Sequence, residues 1–282
     1  MAMYCRTDLT DVYYEDMGKG TPIVMLHGFA ADHRLLSGCM EPLFQASVGW
    51  RRLYLDLPGM GQTKAGDVLS ADAMLDMVLQ CVDRLLPGQS YALVGESYGG
   101  YLARGIIERR RQRVCGAAFI CPVIKPWKAD RTVSHQHVTR TDQAWLDTLP
   151  ESDRKALRQT NDLIVQHALS WRRLNEEVRS GLQLADLPAL KRIRRHYAFS
   201  FALDRLPFEQ PSLFLLGRQD ATVGYQDALG LTEQYPRSTY AVLDLAGHNL
   251  QIDQPDVFNR LMKDWLARVA ERADRFSEGE VH

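Results

Sequence analysis

Tyr91-Ala92-Leu93-Val94-Gly95-Glu96-Ser97-Tyr98-Gly99 passes within nine residues from an apolar run to a serine flanked by glycines. Tyr91 to Val94 is the kind of short apolar run that forms a buried strand. Tyr98 to about Gln112 places Leu102, Ile106 and Ile107 at helical spacing. Ser97 therefore stands on a sharp strand-to-helix turn, the context in which a G-x-S-x-G pattern carries chemical meaning. Gly95 and Gly99 suit such a turn because larger side chains would clash where the two backbones approach. The position also puts Ser97 at a helix N-terminus, whose positive dipole end favours developing negative charge.

The same alternation extends to both sides. Upstream, Tyr13 to Asp16 and the residues before it suggest an opening hairpin, and Pro22 to His27 and Arg52 to Asp56 read as strands. Ser70 is positioned to cap a helix running to about Leu86, before Pro87-Gly88. Downstream, Cys115 to Cys121, Ser212 to Leu216 and Thr239 to Leu243 read as strands, and Asp256 to about Arg272 as a last amphipathic helix. Strands alternating with helices in this way specify a mostly parallel sheet covered on both faces. The alternation fails once, from about Pro122 to Leu206. That stretch reads as wholly helical, over Asp142–Thr148, Glu151–Leu169, Trp171–Leu184 and Pro188–Leu203. The expected organisation is a core of residues 1–121 and 207–272, an inserted segment 122–206, and a disordered charged tail over 273–282.

At 282 residues, 45% hydrophobic and 24% charged, the chain reads as globular and long enough to bury a substantial core. A formal charge of -1 gives no field that would gather nucleic acid or an anionic membrane surface. No run reaches the length of a membrane span, and Met1 to Asp16 lacks the apolar core of a signal peptide, so a cytoplasmic location is expected. Cys5, Cys39, Cys81, Cys115 and Cys121 form no CxxC pair and mostly sit in apolar contexts, which suits buried thiols better than disulfides or a zinc site.

A serine hydroxyl needs a base, an acid to orient that base, and donors for an oxyanion before it acts as a nucleophile. The ordered motifs of this chain resemble those of the α/β-hydrolase superfamily, over nearly all of it except the insertion. Gly95 to Gly99 is similar to the family's nucleophile elbow, with Ser97 as the nucleophile. Leu26-His27-Gly28-Phe29 is similar to its His-Gly loop, which implies that the backbone N–H groups of Phe29 and Tyr98 form the oxyanion hole and that His27 is structural. Asp56-Leu57-Pro58-Gly59-Met60-Gly61 resembles the family's turn after its fourth strand. It completes neither a phosphate loop nor a dinucleotide fingerprint, so Asp56 is expected to support a turn. Leu216 to Asp220 and Ala246 to Asn249 fall where the family carries its acid and its histidine, implying Asp220 and His248 in the order Ser, Asp, His. Asp227 and Asp244 are rival acids, the first read as a helix-surface charge. No metal or organic cofactor is implied. His135 and His137 form an HxH pair without a third ligand at metal spacing, and they are read, like His33, His167, His196 and His282, as solvated residues.

The resemblance further implies that residues 122–206 form a lid over the site and shape its pocket. This segment carries more Lys and Arg than Asp and Glu, read first as solvated helix surface and second as attraction for an acidic substrate. Trp127, Trp145, Trp171, Tyr197 and Phe201 are candidates either for a pocket wall or for the segment's own core. Gly95-Glu96-Ser97-Tyr98 also resembles serine carboxypeptidases, although Glu96 is read as a buried, hydrogen-bonded carboxylate. The expected activity is hydrolysis of a carboxylic ester, or a related acyl bond, of a small molecule through an acyl-enzyme. A proline iminopeptidase-like aminopeptidase, a carbon–carbon bond or lactone hydrolase, and a ligand-binding receptor with residual turnover stay open. An aspartate nucleophile, as in dehalogenases and epoxide hydrolases, is not what stands at Ser97.

Overall fold

Apolar segments too short for helices, each closed by a turn, assemble here into one eight-stranded sheet. The computed structural model describes residues 3–45, 48–133, 139–159 and 163–277. The chain opens with a hairpin of β1 (Met3–Arg6) and β2 (Asp11–Gly18), followed by β3 (Thr21–Leu26), helix α1 (Arg34–Phe44) and β4 (Trp50–Leu55). Helix α2 (Ala71–Leu85), β5 (Tyr91–Glu96), α3 (Tyr98–Arg110) and β6 (Val114–Ile120) complete the first part. Ser70 accepts a hydrogen bond from the Ala73 N–H, the cap that its position suggests.

The strand order is β1-β2-β4-β3-β5-β6-β9-β10, where β9 is Ser212–Gly217 and β10 is Ser238–Leu243. Only β2 runs antiparallel, pairing with both β1 and β4. β3 is joined in sequence to β4 on one side but lies beside β5 on the other. The order thus reverses between β3 and β5, and in open α/β sheets the crevice at such a switch, outside the carboxyl ends of the strands, is where ligands bind. β5, β6 and β9 are buried along their whole lengths, which explains why they read as unbroken apolar runs. Helices α2 and α3 pack together, as do α1 and the long α11 (Pro255–Ser277), one pair on each face of the sheet. All five cysteines are buried, and none forms a disulfide.

Between β6 and β9 the chain leaves the sheet. This segment is not wholly helical: β7 (Arg140–Thr141) and β8 (Val165–Gln166) pair in parallel as a two-stranded ribbon. α4 (Gln143–Thr148) and α5 (Glu151–Gln159) lie between those strands. The single helix expected to reach Leu169 therefore ends early, because Val165 and Gln166 bond to Arg140 and Thr141 instead of to their own turn. α6 (Ala168–Arg173), a π-helical stretch (Leu174–Arg179) and α7 (Ser180–Leu184) follow without a break. α8 (Leu187–Arg194) is then capped by Asp186, and the chain continues to Leu206 without further helix, short of the expected Leu203. α9 (Gln226–Leu229) and α10 (Leu250–Asp253) complete the helices. α11 runs on to Ser277, so residues 273–277 are helical backbone and not tail; 278–282, like His135 and His137, lie outside the described residues.

Candidate active site

Four strand ends converge at the switch point. β5 delivers Ser97 on a turn with φ 52° and ψ −112°, a left-handed conformation that a serine adopts only under constraint. That constraint is tight packing of the turn. A Cβ on Gly99 would run into the Leu26 carbonyl oxygen, and one on Gly95 would meet the Gly100 nitrogen at 2.6 Å. Ser97 N–H donates to the Ile120 carbonyl and Val123 N–H to the Ser97 carbonyl, pinning the turn against the exit of β6.

β9 delivers Asp220 and the loop after β10 delivers His248. His248 Nε2 lies 3.0 Å from Ser97 Oγ, and its Nδ1 lies 2.8 Å from Asp220 Oδ2. The other oxygen of Asp220 accepts the backbone N–H groups of Thr222 at 2.8 Å and Val223 at 3.0 Å. Burial pushes the Asp220 carboxyl up, but the charge of His248 and these hydrogen bonds outweigh it and hold the group below its usual range. An ionised Asp220 requires the His248 proton on Nδ1, which leaves Nε2 free to accept from the serine. Asp227 instead accepts Thr132 N–H and Oγ1 and pairs with Lys125 at 2.8 Å, so it is a brace for the inserted segment more than a surface charge. Asp244 accepts from Gln219 Nε2 at 2.8 Å.

Tyr98 follows Ser97 as the first residue of α3, and Phe29 lines the cavity with Ser97, its ring meeting that of Tyr98 edge-on at 5.3 Å. His27 is structural. Its Nε2 accepts from Leu57 N–H at 3.0 Å, so Nδ1 carries the proton and donates to the Gly28 carbonyl at 2.8 Å. Asp56 supports its turn by accepting from Gln62 N–H, His33 N–H and His33 Nδ1, each at 2.8 Å. His33 is accordingly a buried structural residue and not a solvated one. Nothing local in the sequence tells that Asp56, 23 positions away, folds against it.

Glu96 is the least expected member of the site. Its carboxylate is buried against Gly28 and places Oε1 3.4 Å from His248 Nε2. A Cβ on Gly28 would overlap Glu96 Oε2, so the glycine of the His-Gly loop makes room for this acid. Burial raises the Glu96 carboxyl to about 7, against the attraction of His248. Burial lowers the His248 imidazole, but Asp220 and Glu96 outweigh it and hold the imidazole well above its ordinary range.

Three further residues, Asp253, Arg104 and Asp204, carry no signal in the sequence. Asp253, at the end of α10, accepts Ile164 and Val165 N–H on one oxygen and Gly247 N–H on the other, all at 2.9 Å. It thereby ties the inserted segment to the loop that carries His248. Arg104 and Asp204 form a buried ion pair between α3 and the end of the segment, with Tyr235 Oη also donating to Asp204 at 2.8 Å. Both acids lie in stretches whose spacing signals nothing, and only their burial distinguishes them.

Above Ser97, His248 and Glu96 lies a cavity of about 540 Å³, walled by Phe29 and Leu35 and, from the inserted segment, by Trp127, Val178, Leu182 and Tyr197. Trp145, Trp171 and Phe201 pack against the core instead. Tyr197 stacks on Tyr98 at 4.6 Å and meets Phe29 edge-on at 5.3 Å. Among the described residues, two groups have the donor types of a metal site. In Cys121, Asp220 and His248 the thiol is pushed well up by burial and donates to the Gly247 carbonyl. In Asp32, His33 and Asp56, Arg34 already forks onto Asp32. In both, the side chains are spent on one another and on the backbone.

Residues 21–255 match the family model described as the alpha/beta hydrolase fold. The chain is 26% identical over 257 residues to a pimeloyl-[acyl-carrier protein] methyl ester esterase of Nitrosomonas europaea, covering 89% of this chain and 97% of that protein. It is 22% identical over 276 residues to monoacylglycerol lipase ABHD6 of Bos taurus, covering 89% and 77%. An alpha/beta superfamily hydrolase from Oenococcus oeni PSU-1 superposes with a TM-score of 0.85 at 27% identity, covering 92% of this chain and 96% of that one. The sheet order, the serine at the switch point and the family match together place the chain in the α/β-hydrolase fold family, as a hydrolase.

Proposed function

We propose that this protein hydrolyses the carboxylic ester of a small molecule through an acyl-enzyme on Ser97. The observation that carries the proposal is the unbroken relay from Asp220 Oδ2 through His248 to Ser97 Oγ, with links of 2.8 and 3.0 Å, opening into a cavity. His248 Nε2 takes the hydroxyl proton as Ser97 Oγ attacks the acyl carbon. Asp220 holds the imidazole in orientation and stabilises the imidazolium. The N–H groups of Phe29 and Tyr98 receive the oxyanion, each contributing about 3–4 kcal/mol to the transition state by analogy with other such donors. His248 then returns its proton to the leaving alkoxide, and water repeats the sequence to free the acid and Ser97.

Residues 122–206 act as a lid in this reading. Trp127 and Tyr197 reach the cavity from that segment, and Asp253 and the Arg104–Asp204 pair hold it to the core. The esterase and lipase named among the relatives support an ester over an amide as the bond cleaved.

A fluorophosphonate probe tests the activated nucleophile, and a panel of short p-nitrophenyl esters, proline β-naphthylamide and lactones tests the bond. Wild type is expected to take the label and cleave the esters, and Ser97→Ala to do neither. Failure of wild type to label sinks the proposal, and preferential cleavage of the naphthylamide replaces the esterase with an aminopeptidase.

A further inference from the structure

The charges around the cavity are lopsided. Lys128, Arg131 and Arg194 line it, and among the described residues Glu96 is its one lining carboxylate, already beside His248. Among the described residues none of the three cations lies within 4.0 Å of an acidic side chain. Arg131 is the most constrained. Its Nε donates to the Lys125 carbonyl at 2.9 Å, Nη1 to Thr222 at 3.1 Å and Nη2 to Pro126 at 2.8 Å. Three backbone carbonyls fix the guanidinium in place without neutralising it. It is half-buried and lies close enough that its charge opposes protonation of the His248 imidazole. Arg194 approaches from α8, its guanidinium 5.0 Å above the Phe29 ring.

A solvated lysine or arginine on a helix face needs no explanation. A guanidinium held by carbonyls inside a cavity does, because side-chain order has been imposed on it and its charge left unmatched. A fixed fork is the geometry suited to a carboxylate or phosphate, and ordering it beforehand removes that cost from binding. The walls of Leu35, Val178 and Leu182 complement this with an aliphatic lining.

We propose that the pocket selects acyl substrates that carry an anionic group, a carboxylate or a phosphate, and that Arg131 receives that group with Arg194 and Lys128 adding to the local field. This rests on the ester-hydrolase reading of Ser97, and the test separates the two. Initial rates are measured for p-nitrophenyl butyrate, mono-p-nitrophenyl glutarate and the p-nitrophenyl ester of 4-phosphonobutyrate. For wild type, kcat/KM for at least one anionic ester should exceed that for the butyrate by roughly 10-fold or more, mainly through KM. Which anionic ester leads names the group. Arg131→Gln should bring the ratio toward one. Because Arg131 also braces its loop, wild type is assayed in parallel at about 0.05 and 1 M salt, where screening should shrink the preference without any substitution.

A wild-type ratio at or below one, or a ratio unmoved by both Arg131→Gln and salt, overturns the proposal. If wild type cleaves no ester, the hydrolase reading fails. Calorimetric titration of Ser97→Ala with monomethyl glutarate, monomethyl 4-phosphonobutyrate and methyl butyrate then decides the anion preference alone, with tighter binding of an anionic ester expected and equal or weaker binding of both overturning it.

Discussion

At the scale of single residues, the proposed mechanism draws its nucleophile, Ser97, and a neighbour of its base, Glu96, from adjacent positions on one turn. Ser97→Ala should reduce ester turnover by on the order of 10⁴-fold or more in steady-state assays while leaving the fold's circular dichroism intact. Glu96 acts on the base. Its carboxylate lies 3.4 Å from His248 Nε2, and the imidazolium is favoured by that neighbour as well as by Asp220. Only the neutral imidazole can accept the serine proton, so kcat/KM rises with pH as His248 deprotonates. Removing the Glu96 charge destabilises the imidazolium and lowers the pH at which this occurs. Glu96→Gln is therefore expected to move the acid limb of the kcat/KM profile down by about 1 pH unit, read from rates between pH 5 and 10. An upward shift would contradict this account. Ser97 and His248 were both legible in the sequence because each sits in a short motif at a strand end. The contact of Glu96 with His248 was not, since the two are joined only by the folding of β5 against the loop after β10.

Elements hold these residues in place through a few close approaches. The elbow between β5 and α3 exists because Gly99 lets α3 start against the end of β3. Gly99→Ala drives a methyl group into the Leu26 carbonyl, which also displaces the Tyr98 N–H. Loss of ester turnover by at least 100-fold is expected, with one such donor accounting for much of it. The loop carrying His248 is held by Asp253, whose carboxylate spans Gly247 and the β8 backbone. Asp253→Asn turns one of those acceptors into a donor facing an N–H. It should cost about 1–3 kcal/mol in urea unfolding and lower kcat, because the imidazole loses its fixed position. The inserted segment was the least legible part for a related reason. Hydrophobic spacing predicts helix over Glu151–Leu169, yet a ribbon of two residues per strand wins at Val165 and Gln166, where Asp253 satisfies the Ile164 and Val165 N–H groups from outside the segment.

At the scale of the molecule, the sheet and the inserted segment are joined by contacts remote in sequence. The Arg104–Asp204 pair spans 100 positions and is buried on both sides. Asp204→Ala leaves a guanidinium unpaired in the interior and is expected to destabilise the protein by about 3–5 kcal/mol, measured by urea or thermal unfolding. By itself the sequence determined the mostly parallel sheet, the places of its main strands and the chain order of Ser97, Asp220 and His248, but not the two short strands of the inserted segment. Those follow from local hydrophobic period, turn residues and chain order, which depend on neighbours a few positions apart. Tertiary structure alone decided that Glu96 faces His248, that Asp253 and Asp204 anchor the inserted segment, and that Arg131 stands at the cavity held by backbone carbonyls, with no acidic side chain within 4.0 Å among the described residues. Each of those depends on burial and on partners brought together from distant parts of the chain, and a charged residue's sequence neighbours carry no record of either.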